Sequence, residues 1–260
     1  VLPEQFQRKT FRTHLGWCDE DLFTQALRTF DDAATDEPFF ATLLTLSFHE
    51  DYAIPEGKVE LEDPQANHPR QRKAIRYADR AIGRFIARAR KTDWFDETIF
   101  VFVADHMGGW RQYPHTPTSY RIPLLIYAPD LLEPRRVSTL CSQTDVAPTV
   151  LSLLGGRYEH CFFGSDVLGR DRDKGSAWIL DGEKIGLVSA DGSAVTLPMG
   201  AKPSLWNWAT PDQAEPIEQP SPAQQARRDE LRRQTLAILQ TATAIFSRGA
   251  HNVPADRQAE

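Results

Sequence analysis

The chain has 260 residues and a net charge of −6 at pH 7, with 41% apolar and 25% charged residues. This is the composition of a globular protein with one large α/β domain or a domain plus an appendage, and it gives no basic footprint for nucleic acid. No stretch has the roughly 18 apolar residues of a membrane span. Because the chain begins VLPEQ, without an initiator Met or a signal-peptide core, we expect a fragment or the mature part of a longer protein.

The first part of the chain predicts a helix, a strand and a loop. Residues 19–33 place apolar side chains at helical spacing behind an acidic first turn. The apolar run FFATLLTLSF at 39–48 predicts a fully buried strand that ends at His49. Residues 50–69 are polar and contain three prolines, which indicates a surface loop near a cleft.

A strongly amphipathic helix and two further strands follow. Residues 70–91 predict a helix with a solvated face of Arg and Lys. Residues 98–104 and 122–129 predict two more buried strands, and 144–154 a short helix capped by Thr144 or Asp145. This order predicts an α/β layered fold with a mainly parallel central sheet. The expected apolar face of the long helix comprises Ile75, Ala78, Ile82, Phe85, Ile86 and Ala89.

The last third has a different pattern. Two Asp-Gly turns, at 181–182 and 191–192, lie between short alternating segments and predict a small antiparallel meander. Residues 199–222 are rich in proline and are expected to be irregular, with Trp206 and Trp208 covering the meander. Residues 223–246 predict a terminal helix. We therefore expect a division into residues 1–169 and 170–260, the second part holding the small sheet, a Pro-rich linker and the terminal helix.

Titratable residues follow two of the predicted strands. His49 ends the first, and Asp105 and His106 end the second, at the sheet edge where α/β folds bind ligands. Carboxylate and imidazole suit Zn²⁺ or Mn²⁺. Adjacent strand residues point to opposite faces, so this pair can share an ion only if the chain turns there. The following glycines, Gly108 and Gly109, favour such a turn.

The three cysteines give no metal motif. Cys18, Cys141 and Cys161 are widely spaced, which predicts buried thiols; a bridge between Cys141 and Cys161 stays open.

Several segments together resemble one known family. They are GWCDEDLF, PFFATLLTLSFHEDYAIPEG, IFVFVADHMGG, RIPLLIYAPDLL, SQTDVAPTVLSLLGG and FFGSDVLG, in that order from about Gly16 to Gly169. This set resembles the sulfatase family in its lipoteichoic-acid-synthase-like, or phosphoglycerol-transferase-like, branch of the alkaline phosphatase superfamily. The resemblance implies an alkaline-phosphatase-like α/β fold and the C-terminal portion of its catalytic domain.

The resemblance also implies a reaction and roles for individual residues. Members transfer a phosphoglycerol-type group, or hydrolyse a phosphate or sulfate ester, through a covalent intermediate and with a divalent ion, Mn²⁺, Mg²⁺ or Zn²⁺. The family's metal-binding Asp-His step matches Asp105 and His106, and its catalytic strand-end histidine matches His49. His115 matches a polar substrate contact, and Arg121 is a candidate for binding an anion at the cleft mouth.

The matched segments carry only about half of such an active site. The family's nucleophile and first acidic ligand precede them, and the hydroxyls of Thr42, Thr45 and Ser47 do not match the nucleophile motif. We therefore expect this chain alone to be inactive. The full protein would face the exterior or periplasm beside a membrane region absent from this chain, and would act on a lipid-linked or glycan ester. The alternatives are a hydrolytic sulfatase and a non-catalytic binding or regulatory module.

Overall fold

A computed structural model of the chain describes residues 5–33, 37–61, 63, 65, 67–107, 116–169, 175–182, 184–198, 200, 202–210 and 213–250. The chain divides into two compact units. The first comprises Val1–Phe100 and Tyr127–Glu133, and the second comprises Val101–Ile126 and Pro134–Glu260. The boundary predicted near residue 169 stays a prediction.

Two helices form the framework of the first unit. They are α1 (Asp19–Ala33) and α2 (Pro69–Ala89), and both agree with the sequence prediction. The side chains of Phe23 and Phe85 stack between them with ring centroids 4.8 Å apart. On α2 the buried face differs from the predicted one, since Ile75 is 52% exposed. Of the predicted face, Phe85 and Ala89 are buried, and Ala74, Tyr77 and Ala81 are buried beside them.

Polar contacts explain how α2 is turned against α1. Arg84 donates to Glu20 at 3.0 Å and Arg88 to the Thr24 hydroxyl at 3.2 Å. Small or flat side chains on the buried face permit α2 to approach α1. If the face that contains Ile75 were buried instead, these arginines would be turned away from α1. The Arg and Lys side chains of α2 are nevertheless all exposed, so the predicted solvated face is confirmed.

The prediction of a buried strand at 39–48 is wrong. The backbone of 38–46 belongs to no helix or strand, and 47–48 form a turn. Phe40 is 91% exposed and Leu44 65% exposed, although Phe39 does pack on Phe30. An apolar run becomes a buried strand only beside another strand, and the described residues provide none at this place.

Two short strands precede the candidate site. They are β1 (Phe100–Val103) and β2 (Leu124–Tyr127), and they form a two-stranded sheet. The Ala104 amide donates to the Pro123 carbonyl, and the rings of Phe100 and Tyr127 lie 6.2 Å apart. These contacts pair the end of each strand with the start of the other, as in antiparallel pairs. These two strands do not confirm the predicted parallel pairing, and the mainly parallel central sheet stays a prediction.

Both strands are less buried than expected. Phe100 is buried, but Val103 is 41% and Leu125 56% exposed. With two strands in the described part of this sheet, the apolar side chains are only partly covered.

The second unit contains the helix α3 (Val146–Leu154) and a five-stranded antiparallel sheet. Its strands pair in chain order, and they are β3 (Ser176–Asp181), β4 (Lys184–Ser189), β5 (Ser193–Pro198), β6 (Ser204–Thr210) and β7 (Gln213–Pro216). The predicted meander is thus confirmed and larger than expected, because two strands lie in the region predicted to be irregular. Trp206 and Trp208 are in β6 and pack on buried Ile179, Val188 and Ala194.

The terminal helix α4 (Pro222–Ser247) packs on this sheet. Leu231 is fully buried and joins Leu187, Val195 and Leu205 in one apolar cluster. Further along, however, Leu239 is 43% and Phe246 73% exposed, so the apolar face predicted for the C-terminal half of α4 is not buried by the described residues.

Candidate functional site

Asp105 and His106 lie just beyond the end of β1, separated from it by Ala104, as the sequence predicted. Their side chains face each other, with Asp105 Oδ2 3.5 Å from His106 Nε2, and each side chain is 69% exposed. The His106 amide donates to Asp105 Oδ1 at 2.9 Å. The chain therefore turns between the two residues, and the geometric condition for sharing one ion is met.

The His106 ring is oriented by the backbone behind it. Its Nδ1 lies 2.7 Å from the Met107 carbonyl oxygen. A carbonyl oxygen can only accept, so Nδ1 carries the hydrogen and Nε2 of the neutral ring carries the lone pair. Histidines that bind metal ions commonly donate their second N–H to a carbonyl or carboxylate in this way. The lone pair is consequently on the nitrogen next to Asp105.

These two side chains fit a divalent cation. In a tetrahedral Zn²⁺ site each ligand atom lies about 2.0–2.1 Å from the ion, which puts two ligand atoms about 3.4 Å apart. The observed separation of 3.5 Å between Asp105 Oδ2 and His106 Nε2 is close to that value. Asp105 Oδ1 is already bonded to an amide, so Oδ2 is the oxygen left for an ion. No cluster of three or more His, Cys, Asp or Glu with metal-site geometry occurs among the described residues.

His49 lies on a tight and strained turn in the first unit. Its carbonyl accepts from the Tyr52 amide at 2.8 Å, and its side chain is exposed. Asp51 and Tyr52 follow with φ of 78° and 47°, in the left-handed region that non-glycine residues rarely adopt and that is enriched at functional sites. Because His49 and the Asp105–His106 pair belong to different units, their predicted proximity stays a prediction.

The chain leading into His49 is held by a buried carboxylate that the sequence analysis missed. Asp19 is 1% exposed, and its Oδ1 accepts from the amides of Leu46 and Ser47, both at 3.0 Å. The Asp19 amide in turn donates to the Ser47 hydroxyl at 3.1 Å. In the sequence Asp19 looked like one acid of a helical first turn; its partners lie 27 and 28 residues away, which no local pattern indicates.

For two of the predicted site residues, His115 and Arg121, the described part of the chain gives no contact that bears on substrate binding. His115 lies outside the described residues. Arg121 is exposed and directly follows the 3₁₀ helix Pro117–Tyr120. Their roles in binding substrate stay predictions.

The cysteines contribute no disulfide, since all three are free. Cys18 is buried, Cys141 is half-buried and Cys161 is exposed, so the expectation of three buried thiols holds only for Cys18. Burial raises the pKa of the Cys18 thiol. Burial likewise raises the pKa of Tyr77, whose hydroxyl neighbours that thiol. Both groups are thereby kept neutral, and Cys18 is a packing residue rather than a nucleophile.

Comparison with solved structures identifies the fold. A protein of the alkaline phosphatase superfamily from Vibrio parahaemolyticus superposes with a TM-score of 0.82 and 26% sequence identity, covering 97% of this chain and 60% of that one. The predicted alkaline-phosphatase-like fold is therefore confirmed.

The sulfatase family model matches residues 2–156, and the chain belongs to this family. Similar curated proteins include a lipoteichoic acid synthase-like protein of Bacillus subtilis, 23% identical over 62% of this chain and 29% of its own length. Lipoteichoic acid synthase 2 of the same organism is 25% identical over 60% of this chain and 26% of its own. Phosphoglycerol transferase I of Xanthomonas euvesicatoria is 28% identical over 60% and 23%. The chain thus spans under a third of the length of these relatives.

Proposed function

We propose that this chain is the C-terminal part of the catalytic domain of a metal-dependent enzyme that transfers a phosphoglycerol-type group between esters. The observation that carries the proposal is the Asp105–His106 pair, with its ligand atoms 3.5 Å apart and the His106 ring held by the Met107 carbonyl. The names of the curated relatives, lipoteichoic acid synthase and phosphoglycerol transferase, favour phosphate over sulfate esters.

In this proposal each residue has a separate task. Asp105 Oδ2 and His106 Nε2 hold a divalent cation, Mn²⁺, Mg²⁺ or Zn²⁺. The cation supplies positive charge for the ester oxygens and for a nucleophile outside the matched segments. The exposed imidazole of His49 binds the phosphate oxygens or the leaving group, while His115 and Arg121 contact the substrate. The covalent intermediate would form on that nucleophile. Ser47 does not take this role, because it is buried and its hydroxyl accepts from the Asp19 amide.

We further propose that the complete protein works outside the cytoplasm on a lipid-linked or glycan ester, and that residues 170–260 form an appendage to the catalytic part. The helices that the structure describes include none long and apolar enough to cross a membrane.

The proposal is tested by Mn²⁺-dependent turnover of a nitrophenyl phosphodiester by the full-length protein and by this chain. The full-length protein is expected to be active and the 260-residue chain inactive. Asp105→Ala should abolish both Mn²⁺ binding and turnover, and His49→Ala should lower turnover while sparing Mn²⁺ binding.

Two results would contradict these roles. Loss of the ion in the His49 variant would reassign that residue to the metal, and hydrolysis by this chain that disappears on changing Thr45 would place the nucleophile here. Turnover of a nitrophenyl sulfate but not of the phosphodiester would instead establish the sulfatase alternative.

A further inference from the structure

The side chain of Gln143 joins two distant parts of the second unit. Its Nε2 lies 2.8 Å from the Ala104 carbonyl oxygen and 2.7 Å from that of Asp105, 39 and 38 residues earlier in the sequence. Carbonyl oxygens only accept, and an amide NH₂ has two hydrogens to donate. Both donors of Gln143 are therefore used on the backbone of one dipeptide, at the candidate metal site.

This pair of hydrogen bonds requires a particular backbone shape. In an extended strand successive residues alternate in direction, and so do their carbonyls, so one nitrogen cannot reach two in a row. The bonds to Ala104 and Asp105 thus hold the chain away from the extended conformation immediately after β1. That departure is what allows the side chains of Asp105 and His106 to face each other instead of pointing to opposite sides.

The Gln143 side chain is exposed, but the backbone that carries it is held by the buried Asp145. Gln143 begins the 3₁₀ helix Gln143–Asp145, and Asp145 is 3% exposed. The Asp145 carboxylate accepts from the amides of Ser142 and Ser165, both at 2.8 Å. Gly164 adds close packing, since a Cβ there would lie 2.0 Å from the Thr144 carbonyl oxygen. The backbone that carries Gln143 is thus tied to the chain on both sides.

We infer that Gln143 is a positioning residue for the metal site, which acts by turning the backbone so that Asp105 and His106 present their ligand atoms to one cation. The inference rests on the proposed function for the identity of the ligands. It adds a residue that touches neither the ion nor the substrate. Groups that orient metal ligands from behind typically change metal affinity by about 10- to 100-fold.

The test compares Gln143→Met with the unchanged chain. Methionine keeps the length of the side chain and removes both donors. We expect Mn²⁺ affinity, measured by calorimetry, to fall by about 10- to 100-fold, and we expect faster hydrogen exchange of the His106 amide without metal. The matched control is Gln234→Met, an exposed glutamine on α4 whose amide donates only to Glu230 among the described contacts.

Each outcome decides the matter. Unchanged affinity and unchanged exchange in Gln143→Met overturn the inference, as does an equal effect in Gln234→Met. If the unchanged chain binds no Mn²⁺ but Gln143→Met still speeds hydrogen exchange of the His106 amide, the metal assignment fails and the backbone role of Gln143 stands. If there is neither Mn²⁺ binding nor a change in exchange, both the metal assignment and the backbone role fail. Should Gln143→Met not fold, by circular dichroism, Gln143→Asn replaces it: the amide remains but is one methylene too short, and the same result is expected.

Discussion

Replacing Asp19 should loosen the segment that carries His49. The Asp19 carboxylate accepts from the amides of Leu46 and Ser47, both at 3.0 Å. Hydrogen bonds to charged groups contribute about 1.5–3 kcal/mol each. The Leu46 amide belongs to a half-buried residue and can be hydrated once freed, whereas Ser47 is buried. We therefore expect Asp19→Ala to lower the free energy of unfolding by about 2–4 kcal/mol. This is less than the sum of two full hydrogen-bond contributions.

Asp19→Asn is the matched control for this reasoning. Its Oδ1 can still accept from both amides, and the atom that changes, Oδ2, is buried without a hydrogen-bond partner among the described residues. Asparagine loses the negative charge and places two N–H donors at that buried position, so the Asn variant should lose part of the stability, but less than Asp19→Ala.

The assay is urea denaturation followed by tryptophan fluorescence, together with hydrogen exchange of the Ser47 amide. In the full-length protein, Asp19→Ala should also lower kcat with little change in Mn²⁺ affinity, because His49 is assigned to the substrate. Equal stability of the Ala and Asn variants, or an unchanged Ser47 amide in Asp19→Ala, would refute the argument.

Three further predictions concern the rest of the chain. Leu231→Ala should lower the free energy of unfolding by about 2–5 kcal/mol, because a fully buried leucine leaves a cavity between α4 and the sheet; a loss under about 1 kcal/mol would contradict the packing. Burial opposes ionisation of Asp191, but hydrogen bonds from Ser193 and the charge of Arg227 outweigh it and lower its pKa. The stability that this gives is present above the ordinary carboxyl pKa and lost as pH falls through the lowered pKa of Asp191. Arg227→Met should reduce that acid-side dependence without removing it, because the hydrogen bonds from Ser193 remain. In denaturation curves recorded down to about pH 2 the effect should be near 1 kcal/mol or less, since Asp191 is half exposed. Finally, a thiol reagent at pH 8 should modify Cys161 rapidly and Cys18 only after unfolding, because Cys18 is 4% exposed; rapid labelling of both would show that the Cys18 site opens.

Local patterns predicted the helices and the meander well. The spacing of apolar residues gave α1 at its observed bounds, and the Asp-Gly turns at 181–182 and 191–192 located the first hairpins of the sheet. Both signals depend only on neighbours within a few residues. The strands β6 and β7 were missed because their segment is bounded by prolines that suggest irregular chain.

Features that depend on distant partners were not predictable. Residues 39–48 have the composition of a buried strand, but pairing decides whether a strand forms. The rotation of α2 depends on Glu20 of α1, which accepts from Arg84 64 residues later.

The candidate site shows the same limit. The resemblance to the sulfatase family pointed to Asp105 and His106, and a turn between them was foreseen from the glycines that follow. Gln143, which bonds to the carbonyls of that turn, is too far along the chain for spacing to indicate it.

The most direct test of the central claim is binding of Mn²⁺ to this chain, followed by electron paramagnetic resonance as free Mn²⁺ disappears. The Asp105–His106 pair predicts weak, saturable binding of one ion, since two protein ligands leave the other coordination positions to water. Affinity should fall in acid, because protons compete with the ion for its ligand atoms. Asp105→Ala should lose the ion, and Asp130→Ala, which removes another exposed carboxylate, should keep it. Absence of binding at neutral pH, or equal binding by both variants, would contradict the assignment of Asp105 and His106 to the metal.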